Sequence, residues 1–278
     1  MPAPRSCRFL ALLPLLVLSL PGQAEVVFKG LSRTTEKVVR ATVGLAAESC
    51  TAPDARVRRL YRRADAEIRQ ALEVYGYYAP TIDQTLGREG DCWQARFTIE
   101  RGPRVGIRSL DVSVSGPAAD DAILSGASAR PDFAVGDGLN QRAYDAYKLE
   151  LAGLARRRGY FDGRFATSVI DVHPEQLAAD IRIDYLSGER YRFGPIEFEQ
   201  TVVDPEIAAR FVGFVEGEPY DADRINDLYA ALLTSGYFQG VEVLTTPRPG
   251  PGPDVLVRVV LTPGKPRTWT TGLGYATD

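Results

Sequence analysis

Histidine is almost absent: His173 is the only one among 278 residues. A zinc site of the usual kind gathers several imidazoles or thiolates, so that chemistry is excluded. The Gly-x-Ser-x-Gly elbow of serine hydrolases and the phosphate-cradling Gly-x-x-x-x-Gly-Lys loop are missing too. Asp120 and Asp121 form an acid pair, but adjacent residues project in different directions, and nothing in the surrounding sequence fits them for acid–base work. The chain therefore reads as a non-enzyme, with no catalytic, cofactor-binding or metal-binding residues. A charge imbalance is also lacking: 33 basic against 36 acidic residues leave −3, which gives no footprint for nucleic acid. Beyond the N-terminal leader, no apolar run is long enough for a transmembrane helix.

The leader itself is a signal peptide by its pattern. Arg5 and Arg8 precede the apolar run at residues 9–20, and Gly22-Gln23-Ala24 supplies small residues for a peptidase, which places cleavage after Ala24. Cys7 lies ahead of the run and not at the junction, which excludes a lipidated N-terminal cysteine. Export leaves Cys50 and Cys92, and an even count in an oxidising compartment predicts a disulfide between them.

What the sequence has in plenty is repetition. "EVYGYYAPTID" from Glu73, "RRRGYFDGRFA" from Arg156 and "LTSGYFQGVEV" from Leu233 share Gly-Tyr-aromatic followed by an alternating run. Upstream of each, apolar residues recur at helical spacing. They are Val57, Leu60, Tyr61, Ala64, Ile68, Ala71, Leu72 and Tyr75, then Tyr144, Tyr147, Leu151 and Leu154, then Ile225, Leu228, Tyr229 and Leu232. The spacing predicts three amphipathic helices stopped by Gly76, Gly159 and Gly236, each with a tyrosine (Tyr77, Tyr160, Tyr237) folded back over the last turn. Two strands follow each glycine: residues 81–86 and 93–100, 165–172 and 178–185, 241–246 and 255–261. A further strand and a shorter helix precede each long helix. In the last copy that short helix starts at Asp204, read as a side-chain cap, with Pro205 in its first turn.

Each unit is thus β-α-α-β-β, an α+β layer with two helices on one face of a small mixed sheet. The expected organisation is a signal peptide at 1–24, modules at 25–102, 103–188 and 189–264, and a further segment at 265–278. Gly102-Pro103 and Gly188-Glu189 leave almost no linker, so the modules should sit close. The last segment, "TWTTGLGYATD", alternates large and small side chains. It reads as the first strand of an outer-membrane β-barrel, truncated here.

Tandem modules of this kind ahead of a barrel strand resemble the polypeptide-transport-associated (POTRA) regions of the outer-membrane barrel-assembly superfamily. "EVYGYYAPTI", "RRRGYFDGRF", "SGERYRFGPIEFE" and "TGLGYATD" carry the resemblance, which covers nearly the whole mature chain. It implies a periplasmic arm, exported and attached to the cell outer membrane, that helps place autotransporters and similar barrels. Its partners would be unfolded outer-membrane clients and a long periplasmic protein anchored in the inner membrane, with no cofactor. Two-partner secretion transporters and the central barrel-assembly factor share the module and differ in module count. An exported hydrolase or peptidoglycan-binding protein is the alternative from another class, and it would need a pocket of convergent polar groups that the sequence does not offer.

Two surfaces are candidates for contact. If the last strand of a module lies in mid-sheet, as is usual for such modules, the second strand is an open edge to which an extended partner can add. The residues concerned are Thr81, Ile82 and Asp83, Thr167, Val169 and Asp171, and Val241, Val243 and Thr245. The helix segment "RVRRLYRR" offers Arg56, Arg59 and Arg63 as a basic face for anionic headgroups or an acidic partner. Arg156 to Arg158 form a second basic group.

Overall fold

The computed structural model describes residues 22–128, 130–201 and 203–264. The apolar leader and the alternating run at 265–278, to which a barrel strand was assigned, lie outside the described residues. The rest is three β-α-α-β-β modules. The first holds β1 (Glu25–Lys29), α1 (Arg33–Thr42), α2 (Asp54–Glu73), β2 (Thr81–Glu89) and β3 (Cys92–Glu100). The second holds β4 (Gly106–Ser115), α3 (Ala122–Ser128), α4 (Gln141–Arg157), β5 (Arg164–His173) and β6 (Ala178–Leu186). The third holds β7 (Arg192–Glu199), α5 (Pro205–Ala209), α6 (Ala222–Thr234), β8 (Phe238–Arg248) and β9 (Asp254–Pro263). The chain divides into two compact units, one ending at Pro103 and the other, from Arg104, holding the second and third modules together.

Each module owns a three-stranded sheet, in the orders β1-β3-β2, β4-β6-β5 and β7-β9-β8. The last strand sits in the middle, parallel to the first and antiparallel to the second. That position decides its composition. β9 alternates buried Val255, Val257, Val259 and Leu261 with Arg258 and Thr262 on the open face. In the first module Phe97 of β3 stacks on Phe28 of β1 at 5.3 Å, over Ile68 and Leu72 of α2. Trp93 buries its ring there and donates its indole N–H to the Ala52 carbonyl at 2.9 Å.

Cys50 and Cys92 are disulfide-bonded across 42 positions, joining the segment before α2 to the start of the central strand. Closing a loop of that length stabilises the fold by about 4 kcal/mol on the chain-entropy account. Gly22 and Ala24, just ahead of the expected processing junction, also take part. Cys50 N–H donates to Gly22 O and Ala24 N–H to Glu48 O, both at 2.8 Å. A cut after Ala24 would remove that pairing.

The helix ends follow the sequence in two modules and depart in the third. Gly76 and Gly159 have φ of +84° and +91°, and the tyrosine N–H after each reaches back to Leu72 O at 3.2 Å and Ala155 O at 2.9 Å. Gly236 also has positive φ, at +77°. There the Ser235 hydroxyl intervenes, donating to Leu232 O at 2.6 Å and accepting from Tyr237 N–H. Tyr237 consequently points outward, 51% exposed, and Phe238 takes the core position. Tyr229, assigned to the apolar face of α6, is also solvent-facing. Asp204 stands at the start of α5, but its side chain makes no capping bond and only its backbone carbonyl is used, by Ile207 and Ala208.

Candidate interaction edges

The two outer strands of each sheet are treated differently. The lead-in to the first strand is bridged by the segment that precedes the second helix. In the second module Ile107 N–H donates to Asp137 O at 2.8 Å, Gly136 N–H to Ile107 O at 2.9 Å and Leu139 N–H to Val105 O at 2.8 Å. In the third, Phe193 N–H donates to Glu218 O, Gly217 N–H to Phe193 O and Tyr220 N–H to Tyr191 O, at 2.7 to 3.0 Å. The first module has the shorter version, Gln23 against Ser49. The device is legible once seen. "GDGLN" at 136–140 matches "GEPYD" at 217–221, with a left-handed glycine first and a capping Asn140 or Asp221 last. Sequence reading missed it because five residues of turn chemistry carry no hydrophobic period.

Among the described residues no backbone bridge of this kind is made on the other side. Among the described residues, β2, β5 and β8 pair only with β3, β6 and β9, and no isolated bridge touches them. Their outer edges carry no further strand among the described residues, which is the arrangement an added strand requires. The nine edge residues picked from the sequence all lie on these strands but do not share one face. By register, Ile82 pairs with Ile99, Val241 with Leu261, Val243 with Val259 and Thr245 with Val257, so these four turn toward the helices. Thr81, Asp83, Thr167, Val169 and Asp171 take the other face. Leu244 of β8, 44% exposed beside Arg258, joins that open face and was not singled out from sequence.

The open face of the second sheet is charged, with Arg108 and Arg182 set among its aspartates. Asp171, Asp180 and Asp184 line it, with Ser109 donating to Asp180 at 2.6 Å and Ser113 and Ser115 donating to Asp184 at 3.1 and 3.0 Å. The Arg108 guanidinium, paired with Asp180, and the Ser109 hydroxyl hold that carboxyl well below the usual carboxylate range. His173 sits 3.5 Å from Asp180. Among the described residues, no group of three or more His, Cys, Asp or Glu is placed to hold a metal ion.

The basic face is partly consumed by local pairs. Arg56 binds Glu48 at 2.8 Å, Arg58 binds Asp54 at 2.7 Å and Arg63 approaches Glu67 at 3.6 Å, while Arg59 projects into solvent. Arg158 has a wholly internal role. Its Nη1 meets Asp221 Oδ2 at 2.6 Å and its Nη2 meets Asp121 Oδ2 at 3.3 Å. Arg190 adds a contact to Asp121 at 3.6 Å and donates to Arg158 O at 2.8 Å. Asp121, read from the sequence only as half of an acid pair, is therefore a buried acid between two guanidinium groups that belong to the seam of modules two and three. Phe161 packs against Tyr191 and Tyr220 there at 5.1 and 5.2 Å. Tyr191 N–H donates to Gly159 O at 2.9 Å.

Among solved structures, the chain is similar to the third to fifth POTRA domains of BamA from Haemophilus influenzae. The TM-score is 0.48 and the identity 17%, covering 87% of this chain and 96% of that one. It is also similar to Haemophilus ducreyi BamA lacking POTRA domains 1–3 (TM-score 0.44, 15% identical, 57% of this chain) and to CdiB from Acinetobacter baumannii (0.32, 11%, 60%). It spans only 29% and 31% of those two longer chains. At the level of sequence families, residues 25–101 match the one described as POTRA domain, TamA domain 1, and two modules with the same strand order follow that segment.

Proposed function

We propose that this chain is the periplasmic, partner-binding region of an outer-membrane assembly factor of TamA type. In this reading the open edges of β2, β5 and β8 take up extended segments of autotransporters and other barrel clients, and a TamB-like protein anchored in the inner membrane docks by the same chemistry. The observation that carries the reading is the asymmetry of the sheets: in all three modules, among the described residues, the first strand's lead-in is bridged and the second strand's edge pairs with no further strand. The POTRA match of residues 25–101 supports it. Main-chain hydrogen bonds supply the affinity, so many client sequences are accepted. Arg59 remains available on the first module for an acidic partner or headgroup.

A photoreactive residue placed at Asp83, Val169 or Leu244 of the whole chain tests this. The reading expects cross-links from these positions to an unfolded barrel client. Cross-links that arise instead only from helix positions such as Leu149 or Ile207 would overturn it.

A further inference from the structure

The helix beside each open edge carries a different residue at the same point of the repeat. Asp65 in α2, Lys148 in α4 and Ile225 in α6 each stand 11 positions before their glycine, Gly76, Gly159 or Gly236. Two of the three are spoken for. Asp65 is paired with Arg69 at 2.6 Å, and Ile225 is part of the core. Lys148 is neither paired with a carboxylate among the described residues nor released to solvent. Its ammonium donates to Ser168 Oγ of β5 at 3.1 Å and lies 5.1 Å from the Tyr144 ring and 5.0 Å from the Phe165 ring. Ser168 pairs in register with buried Ile183, so this contact is on the helix-facing side of the open strand.

A second feature points the same way. Tyr144, whose ring underlies the ammonium, is 5% exposed, and its hydroxyl makes no hydrogen bond. Burial raises this phenol, and the neighbouring Ser168 hydroxyl acts on it in the opposite sense. An ammonium has three N–H donors and Lys148 spends one on a serine. A cation held on aromatic faces and partly stripped of water binds a carboxylate more strongly than an exposed lysine does. On the opposite face of β5 itself Asp171 is the charged residue, while on the central strand Asp180 is paired with Arg108 and Arg182 stands between Asp180 and Asp184.

We propose that the β5 edge selects extended segments by charge. A strand added there carries a carboxylate side chain on the face turned to α4, read by Lys148, and uncharged or basic residues on the face turned to Asp171. The inference rests on edge binding as proposed above and adds a preference that neither of the other modules has: α2 offers an already neutralised acid at this point and α6 an apolar side chain.

The test uses the whole chain and two decapeptides rich in threonine and valine, identical except for a central glutamate or glutamine. Amide shifts of residues 164–173 report binding at the edge. The expected result is that both peptides shift β5 and that the glutamate form binds about tenfold tighter, a preference that shrinks with added salt. Lys148→Met, which keeps the stem over the rings, should equalise the two without moving the melting transition, and Lys148→Glu should favour a lysine-bearing version. Equal affinities in the unaltered chain overturn the charge preference while leaving edge binding intact. Absence of any shift in β5 with either peptide overturns both. Should the variants fold poorly, the glutamate-to-glutamine ratio and its salt dependence in the unaltered chain decide alone.

Discussion

Arg158 and Asp221 meet at 2.6 Å, tying the C-terminal end of α4 to the residue that caps α6. The same guanidinium reaches Asp121, whose side chain is only 4% exposed. The second and third modules thus share a charged seam as well as an aromatic one, and the chain from Arg104 behaves as one compact unit. Arg158→Ala is expected to cost about 2 kcal/mol, because it leaves the buried acid with only the longer contact to Arg190 as a charged partner, beside the Ile123 N–H that donates to it at 3.1 Å. Calorimetry should then show the 104–264 portion melting in two steps instead of one. A single unshifted transition would mean that the Phe161 contacts and the backbone bonds at Gly159 and Arg158 hold the seam without this side chain.

The glycines that end α4 and α6 differ in a measurable way. A Cβ on Gly159 would lie 3.0 Å from Tyr220 Cβ and 3.2 Å from Tyr191 O, whereas one on Gly236 would meet nothing. Both have positive φ, so alanine strains either by about 1 kcal/mol. Gly159→Ala should cost distinctly more, since the seam must also open. Equal denaturation midpoints for the two variants would contradict the packing described.

Reduction of the Cys50–Cys92 bond acts on the first unit alone. Reduced protein, or Cys50→Ser with Cys92→Ser, is expected to lose about 4 kcal/mol in the transition of the unit ending at Pro103. The transition of the second unit should stay where it was, and a shift in both would argue against independent units.

Stability should also fall in alkali. Burial pushes the Tyr147 hydroxyl up from its ordinary 10.0 to about 12. A group whose folded value is raised contributes stability that is fully present below the unfolded value and is lost as pH rises through the folded one, here between about pH 10 and 12. Tyr147→Phe should flatten part of that loss, other buried tyrosines supplying the rest. An unchanged slope in chemical denaturation across this range would show that Tyr147 ionises as freely in the fold as outside it.

Repetition made the fold legible. Three copies of one helix–glycine–strand–strand pattern set the α+β class and the order of elements, because period and turn residues are local signals. Side-chain placement was less accessible wherever a neighbour intervened: the Ser235 hydroxyl displaces Tyr237 from the place its counterparts hold, and Tyr229 is left solvent-facing. The candidate edges were found as strands, but their two faces were not separated. Which face a residue takes depends on the register with the central strand, and bulges between Phe165 and Thr167 and between Phe238 and Gly240 shift it. Asp121 was read only as half of an acid pair and Lys148 was not singled out, for the same reason: the residues that give them meaning are 37 and 20 positions away.

The central claim is that extended partners add to the second-strand edges. Hydrogen exchange of the whole chain, with and without an unfolded outer-membrane client, tests it most directly. The account predicts new protection in β2, β5 or β8, with β1, β4 and β7 unchanged. Protection confined to the helices or to the first strands, with the second strands exchanging as before, would contradict it.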